Sequence, residues 1–240
     1  MKNFILTLSI LLVTVQCFAQ TESTNTSENL DDRKGYLAIM LGPSFPVGDY
    51  ADDDLNNDQA GLAKTGFSLF LLDFGYKFHR NIGIAASWFG GSNPVDAQVL
   101  ADGLAYNIGG AWTVESGAFS YGGLFVGPMF SIPLKKVDLD LRVVGGFATG
   151  FFPEIKVRSN TGVNFNQESA NGSCFAYSIG AGTRVHFSKK LSFIARVDYI
   201  AMTPETEVTI DYVGGAEETF DVEQPMNTVN LNLGLAFRLK

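Results

Sequence analysis

From Gly35 to the C-terminus, apolar and polar residues alternate with a period of two, the pattern of strands with one apolar face. In residues 227–239, Val229, Leu231, Leu233, Leu235, Phe237 and Leu239 share one face, while Thr228, Asn230, Asn232, Gly234, Ala236 and Arg238 share the other. Residues 191–199 set Leu191, Phe193, Ala195, Val197 and Tyr199 against Ser192, Ile194, Arg196 and Asp198. Residues 137–151 set Val137, Leu139, Leu141, Val143 and Phe147 against Asp138, Asp140, Arg142 and Gly146. Residues 68–78 set Phe70, Leu72, Phe74, Tyr76 and Phe78 against Asp73, Gly75 and Lys77. Residues 174–187 set Phe175, Tyr177, Ile179, Val185 and Phe187 against Ser178, Gly180, Gly182, Arg184 and His186. Residues 35–45 and 81–89 follow the rule less sharply, and residues 119–132 are apolar on both faces, so their register is open. Eight strands are predicted.

The connections alternate in length. Short turns are expected at His79-Arg80, Leu134-Lys135-Lys136 and Ser188-Lys189-Lys190, and long polar loops at about 46–65, 90–118, 152–173 and 202–226. Short turns at one rim and long loops at the other describe an even-numbered up-and-down antiparallel barrel, with both termini on the short-turn side. An eight-stranded barrel has an interior just wide enough for side chains. Six or more bulky residues per strand would overfill it, whereas glycine, serine and alternating charges fit. The apolar faces must then point outward, which is tolerable only in lipid. The expected fold class is therefore all-β, an eight-stranded antiparallel up-and-down transmembrane β-barrel over residues 35–240. Tyr76, Phe78, Trp88, Phe151, Tyr177, Phe187, Tyr199 and Phe237, near strand ends, suit interfacial aromatic girdles.

The N-terminus agrees with export. Lys2, an apolar stretch from Phe4 to Val15, and Cys17-Phe18-Ala19 have the layout of a secretory signal peptide, residues 1–19, with cleavage near Ala19. The competing reading, Cys17 as a lipidated residue, is opposed by Gln16 directly before it. Residues 20–34 are polar and without apolar period, and are expected to be a flexible leader. Cleavage leaves Cys174 as the sole cysteine, so no internal disulfide can form. Composition sharpens the all-β reading: glycine (26) and phenylalanine (20) are frequent, and charged residues make up only 18%. A net charge of −8 makes the chain a poor partner for a phosphate backbone, so no nucleic-acid partner is expected.

Two segments carry a resemblance. Gly42-Pro43-Ser44-Phe45-Pro46-Val47-Gly48-Asp49-Tyr50 follows the first strand, and Lys64-Thr65-Gly66-Phe67 opens the second. With the closing strand Leu233-Gly234-Leu235-Ala236-Phe237-Arg238-Leu239-Lys240, the chain resembles the small outer-membrane β-barrel proteins of the porin-like family common in Bacteroidetes-type bacteria, over roughly residues 35–240. It closes on Lys240, where the family pattern has an aromatic residue. The resemblance implies the barrel, a place in the bacterial outer membrane with periplasmic termini, and outer-membrane lipid as a partner. It implies no substrate, since such folds host many roles.

Candidate chemistry is sparse. A lipid-modifying hydrolase needs a base beside a nucleophile at the outer rim. His79 falls in a short turn and His186 near the opposite end of its strand from the long loops, so no catalytic residue is assigned and no enzyme is expected. Asp52, Asp54 and Asp58, with Asp49 and Asp53, make the first long loop a weak candidate for a divalent cation, but the glycine and closing glutamate of an EF-hand loop are missing. The fourth loop is acidic too, through Glu205, Glu207, Asp211, Glu217, Glu218, Asp221 and Glu223. Asp73, Lys77, Asp138, Asp140, Arg142, Arg184, Arg196, Asp198 and Arg238 are expected to form an ion-pair network that plugs the lumen, because water-filled channels belong to wider barrels. No cofactor is implied. The leading expectation is a non-enzymatic barrel that binds a surface ligand or envelope protein through its long loops, or supports the envelope. The alternatives are a component of a secretion or envelope-assembly machine and, disfavoured, a lipid-modifying enzyme.

Overall fold

The computed structural model describes residues 34–162, 164–212 and 215–239. The expected signal peptide and all of the leader but Lys34 lie outside the described residues, as does Lys240. In chain order the strands begin with β1 (Gly35–Pro46), β2 (Gly66–Lys77) and β3 (Ile82–Pro94), followed by one helix, α1 (Ala97–Ile108). Next come β4 (Trp112–Ser116), β5 (Ala118–Pro133), β6 (Val137–Phe152), β7 (Ile155–Ser159) and β8 (Asn164–Gln167). The chain ends with β9 (Ala170–His186), β10 (Leu191–Met202), β11 (Glu205–Tyr212), β12 (Ala216–Glu223) and β13 (Thr228–Leu239).

Eight of these close a barrel in the order β1-β13-β10-β9-β6-β5-β3-β2, each antiparallel to its neighbours. The first and last strands seal it, from Gly35 opposite Leu239 to Pro46 opposite Thr228, so no barrel edge is left. Three short turns tie one rim. Ser188 makes one of them, its hydroxyl accepting from the backbone N–H of Lys190 and Leu191.

The alternation sorts side chains to the two sides of the wall. Asp73, Asp138, Asp140, Arg142, Arg184, Arg196 and Asp198 are buried inside, while Ile39, Leu41, Leu141, Val143, Phe193 and Leu235 stand exposed outside. The open register of β5 resolves with Phe119, Tyr121, Phe125, Met129 and Ser131 inward and Leu124, Val126, Phe130 and Ile132 outward.

The structure corrects part of the strand reading. Phe70, expected on the outer face, is fully buried, because the β2–β3 register shifts between Phe70 and Leu72. Such a bulge adds one residue and inverts the alternation on one side of it, leaving both Leu71 and Leu72 exposed. The interior is also less small and polar than volume alone suggested: Phe70, Phe89 and Phe125 pack within it, with Phe89 and Phe125 stacked at 4.3 Å between ring centroids.

A further correction concerns the long connections. Three of the four are not irregular loops but build a five-stranded sheet in the order β12-β11-β8-β7-β4. β4 comes from the connection before β5, β7 and β8 from that before β9, and β11 and β12 from that before β13. The helix α1 lies against β4, its N-cap Asp96 accepting from Val99 N–H and its Lys64 partner 2.8 Å away. No helix among the described residues is long and apolar enough to cross a membrane, so any crossing must be made by strands.

Candidate functional site

The lumen is filled level by level. Nearest the short turns, Arg184 donates from Nε and Nη2 to the two oxygens of Asp140, at 2.5 and 2.9 Å, and stands 3.2 Å from Asp138. Its guanidinium lies 4.2 Å above the Tyr36 ring. Lys77 is buried at the same end.

One level up, four side chains from three strands close a ring. Asp73 of β2 accepts from Arg142 of β6 at 2.6 Å and from Arg196 of β10 at 2.7 Å. Asp198 of β10 accepts from the same two arginines, at 2.9 Å from Arg142 Nη2 and 2.7 Å from Arg196 Nε. Charges alternate around the ring, and Ser87 adds a hydroxyl between Asp73 and Arg142. Phe70 covers it, its ring centroid 4.5 Å from Arg196 Cζ and 5.4 Å from Arg142 Cζ. Gly180 is required beneath it: a Cβ there would meet Asp198 Oδ1 at 2.2 Å. The ring spans the barrel, since β2 is separated from β6 by two strands on one side and from β10 by two on the other.

Four carboxylates and four cationic side chains are thus buried in the barrel, a balance that leaves no net lumen charge if His186 is neutral. Arg238, expected in the same network, sits instead at the short-turn rim, half-buried, where its Nη2 lies 3.4 Å from the Ser188 carbonyl. The parity of β13 points it inward, but it is the last but one residue of its strand and reaches the rim rather than the ring.

Above the aromatic level come hydroxyls and amides: Ser44 with Tyr121 at 2.9 Å, Ser68 to Asn232 at 2.8 Å, and Asn230 to Thr228 at 2.9 Å. The first long connection then folds over the mouth. Tyr50, in a single 3-10 turn at Gly48–Ala51, is fully buried with its ring 5.5 Å from Phe119. The backbone of Gly61, Leu62 and Ala63 donates back to Asp49, Asp52 and Tyr50, with Leu62 in the left-handed region at φ 52°. A branched residue there is unfavourable in isolation, so the surrounding bonds hold it in place.

The same connection carries Asp52, Asp54 and Asp58. Asn57 Nδ2 donates to Asp52 at 2.8 Å and to Asp49 at 3.3 Å, and Asp54 accepts from Asn56. The Asn57 amide thus bridges Asp49 and Asp52. These bonds, that of Asn57 above all, hold the Asp52 carboxyl below the usual carboxylate range. No group of three or more His, Cys, Asp or Glu converges on a metal-sized site among the described residues.

One constellation was invisible in the sequence. His186 Nδ1 lies 2.6 Å from Ser192 Oγ, and its Nε2 stands 3.2 Å from Asp138. Ser, His and Asp in contact are the parts of an acyl-transfer centre. Here Ser192 is only 3% exposed, and Arg184 holds the same Asp138 oxygen at 3.2 Å, so the group packs the lumen end and offers no approach to a substrate carbonyl. The other histidine, His79, serves its turn through a backbone N–H donated to Ile82 O at 3.1 Å.

The sheet beyond the mouth has a different electrostatic character. In the β11–β12 hairpin Glu205 faces Glu223, Glu207 faces Asp221, and Asp211 faces Glu217. Like charges directly opposite one another destabilise a strand pair. None of the six has a salt bridge to a basic side chain among the described residues. The other face of the hairpin carries Val208, Phe220 and Ile210, with Val208 buried.

No protein-family model matches the sequence, and no curated protein does. Solved structures of similar shape are outer-membrane barrels. Ail, the attachment invasion locus protein of Yersinia pestis, is 18% identical, with 86% of this chain and 99% of that chain covered and a TM-score of 0.42. A major outer membrane protein from Thermus thermophilus is 10% identical, with 85% and 99% covered and a TM-score of 0.49. The outer membrane protein OprG from Pseudomonas aeruginosa is 13% identical, with 86% and 98% covered and a TM-score of 0.43.

Proposed function

We propose that this protein is a non-enzymatic barrel of the bacterial outer membrane, closed to solute flow, that holds a five-stranded sheet at the cell surface as a platform for binding or shielding. The observation that carries the reading is the inversion of the barrel: charges fill its inside and bulky apolar side chains cover its outside. Leu41 is 65% exposed, Phe147 75% and Phe175 65%, whereas Asp73 and Asp198 are fully buried. Monomeric soluble proteins rarely expose an apolar surface of more than a few hundred Å². A band of such residues around a closed barrel is at home in lipid.

The contents of the lumen support the closed reading. Two charged levels, an aromatic level, a hydroxyl and amide level, and the Tyr50 segment leave side chains at every height, and eight strands enclose no more than side chains can fill. With Lys34 and Leu239 at the short-turn rim, the sheet projects on the opposite side, which is the cell exterior for a barrel whose turns face the periplasm.

The test is electrophoretic mobility of the detergent-extracted protein with and without boiling, joined to conductance in planar bilayers. A mobility shift with no unitary conductance supports both halves of the reading. Absence of a shift, with solubility in plain buffer, overturns the membrane assignment, and discrete open-channel steps overturn the closed lumen.

A further inference from the structure

Where the chain leaves the barrel wall between β10 and β11, a cleft of 540 Å³ opens on the outer surface. Phe175 and Tyr177 of β9 and Tyr199 of β10 line it with aromatic rings, Ala201 lies at its floor, and Ser173 and Thr203 add hydroxyls. Glu205 and Asn227 stand at its upper, loop-end side. The floor is low because Ala201, opposite Tyr177 in the strand ladder, has only a methyl group.

The cleft runs on from the outward apolar band without a break, since Tyr177 and Tyr199 are the next outward residues after Ile179 (54% exposed) and Val197 (41% exposed). Above it begins the acidic face of the β11–β12 hairpin, whose first pair is Glu205 and Glu223. Apolar walls below and carboxylates above, on a surface that faces sideways, are the two ends of one amphiphile's requirements. We propose that this cleft binds a membrane lipid with a free amine in its head group, its acyl chain against Phe175, Tyr177 and Tyr199 and its ammonium at Glu205.

The inference rests on the membrane reading above. The anionic face selects against heads that carry only negative charge, and the level of the cleft, at the loop-end margin of the apolar band, selects the leaflet on the sheet's side. The unpartnered carboxylates of the hairpin thereby gain a mobile counter-charge supplied by the bilayer.

The experiment is native mass spectrometry of the detergent-extracted barrel titrated with phosphatidylethanolamine or phosphatidylglycerol of identical acyl chains, so that only the head differs. The unsubstituted protein should retain the ethanolamine lipid about fivefold better, the gain of one partly exposed carboxylate–ammonium contact. Ala201→Trp fills the floor and should remove adducts of both lipids. Glu205→Gln lies on an exposed rim, keeps the cleft, and should retain both lipids without preference. Ala201→Leu serves where the tryptophan variant does not fold, which the boiling-dependent mobility shift reports for each variant. Equal retention of both heads by the unsubstituted protein, or adducts unchanged in the folded Ala201 variant, overturns the proposal while the mobility shift leaves the membrane reading intact. Loss of the shift in the unsubstituted protein is the failure of the membrane reading itself.

Discussion

Two regions of this molecule use the same residue types in opposite ways. In the lumen, Asp73 and Asp198 are set against Arg142 and Arg196 so that every carboxylate meets a guanidinium on two sides. In the β11–β12 hairpin, three carboxylates face three carboxylates across the strands with no base between them. The difference follows from where each can find a counter-charge. A buried ion has only protein to neutralise it, so its partners must be built into the fold. A carboxylate on an exposed sheet can be neutralised from outside, by solvent ions or by a ligand, and its cost when bare is small. The closed ring therefore carries its own counter-charges, while the open acidic face leaves its carboxylates to be neutralised from outside the fold.

The sharpest way to break the lumen half of this contrast is to remove one charge from the ring. Asp73→Ala would leave Arg142 and Arg196 each short of a carboxylate inside the barrel, and breaking a buried pair this way costs about 3–5 kcal/mol. Urea titration of the folded fraction, read from the mobility shift, should show the midpoint fall accordingly. Double replacement of Asp73 and Arg142 by apolar residues should cost less than Asp73→Ala alone, because no charge is then stranded at that corner of the ring. Equal losses in the single and double variants would contradict the ring as the source of the effect.

That ring also marks the limit of what the chain discloses before it folds. Charged residues at every second position of otherwise apolar strands, such as Asp138, Asp140 and Arg142, stand out because they interrupt a lipid-compatible pattern. Which acid meets which base does not stand out, since Asp73 and Arg142 are 69 positions apart and meet only when the barrel closes. The bulge at Leu71 has no signature of its own: Leu71 and Leu72 are the same residue, and only the registers against β1 and β3 show that one is extra. The sheet at the mouth escaped for a related reason. β4 and β8 have five and four residues and gain strand geometry from partners in other connections, as Tyr212 of β11 does opposite Phe165 of β8. Length and polarity alone make such segments look like loops. Ser192, whose hydroxyl completes the contact with His186, sits in the turn-proximal half of its hairpin and is one of many serines until the two strands pair.

The hairpin half of the contrast is sharpened by reversing one charge. Glu207→Lys places an ammonium opposite Asp221, diagonal to Glu223 and two residues along the strand from Glu205, converting one repulsive pair to an attractive one. The expected gain is about 0.5–1 kcal/mol of local stability, within the range for cross-strand pairs. Hydrogen exchange of the β11 and β12 amides at low ionic strength should slow by a few-fold, and the difference from the unsubstituted protein should shrink in molar salt as screening removes the repulsion. An effect independent of salt would mean that packing, not charge, limits the hairpin.

An intermediate case lies between the two regions, at the start of α1, where an acid is neither buried in a ring nor left bare. Asp96 caps the helix through Val99 N–H and receives Lys64 at 2.8 Å. These contacts, the Lys64 hydrogen bond first among them, hold its carboxyl below the usual carboxylate range. A folded-state value below the unfolded one means that the contribution is fully present above the ordinary carboxylate range and is lost as pH falls through the lowered folded value. Asp96→Ala should therefore cost about 1 kcal/mol of local helix stability at neutral pH, as the loss of an N-cap does elsewhere. The same substitution should cost nearly nothing once acid has protonated the carboxyl in the unsubstituted protein. Exchange rates of the α1 amides in the two proteins, compared at neutral pH and then step by step into acid, give the check: the gap between them should hold down to the ordinary carboxylate range and close only as pH falls below it. A gap that stays constant into strong acid would assign the capping energy to the backbone geometry of residues 94–97 rather than to the ionised side chain.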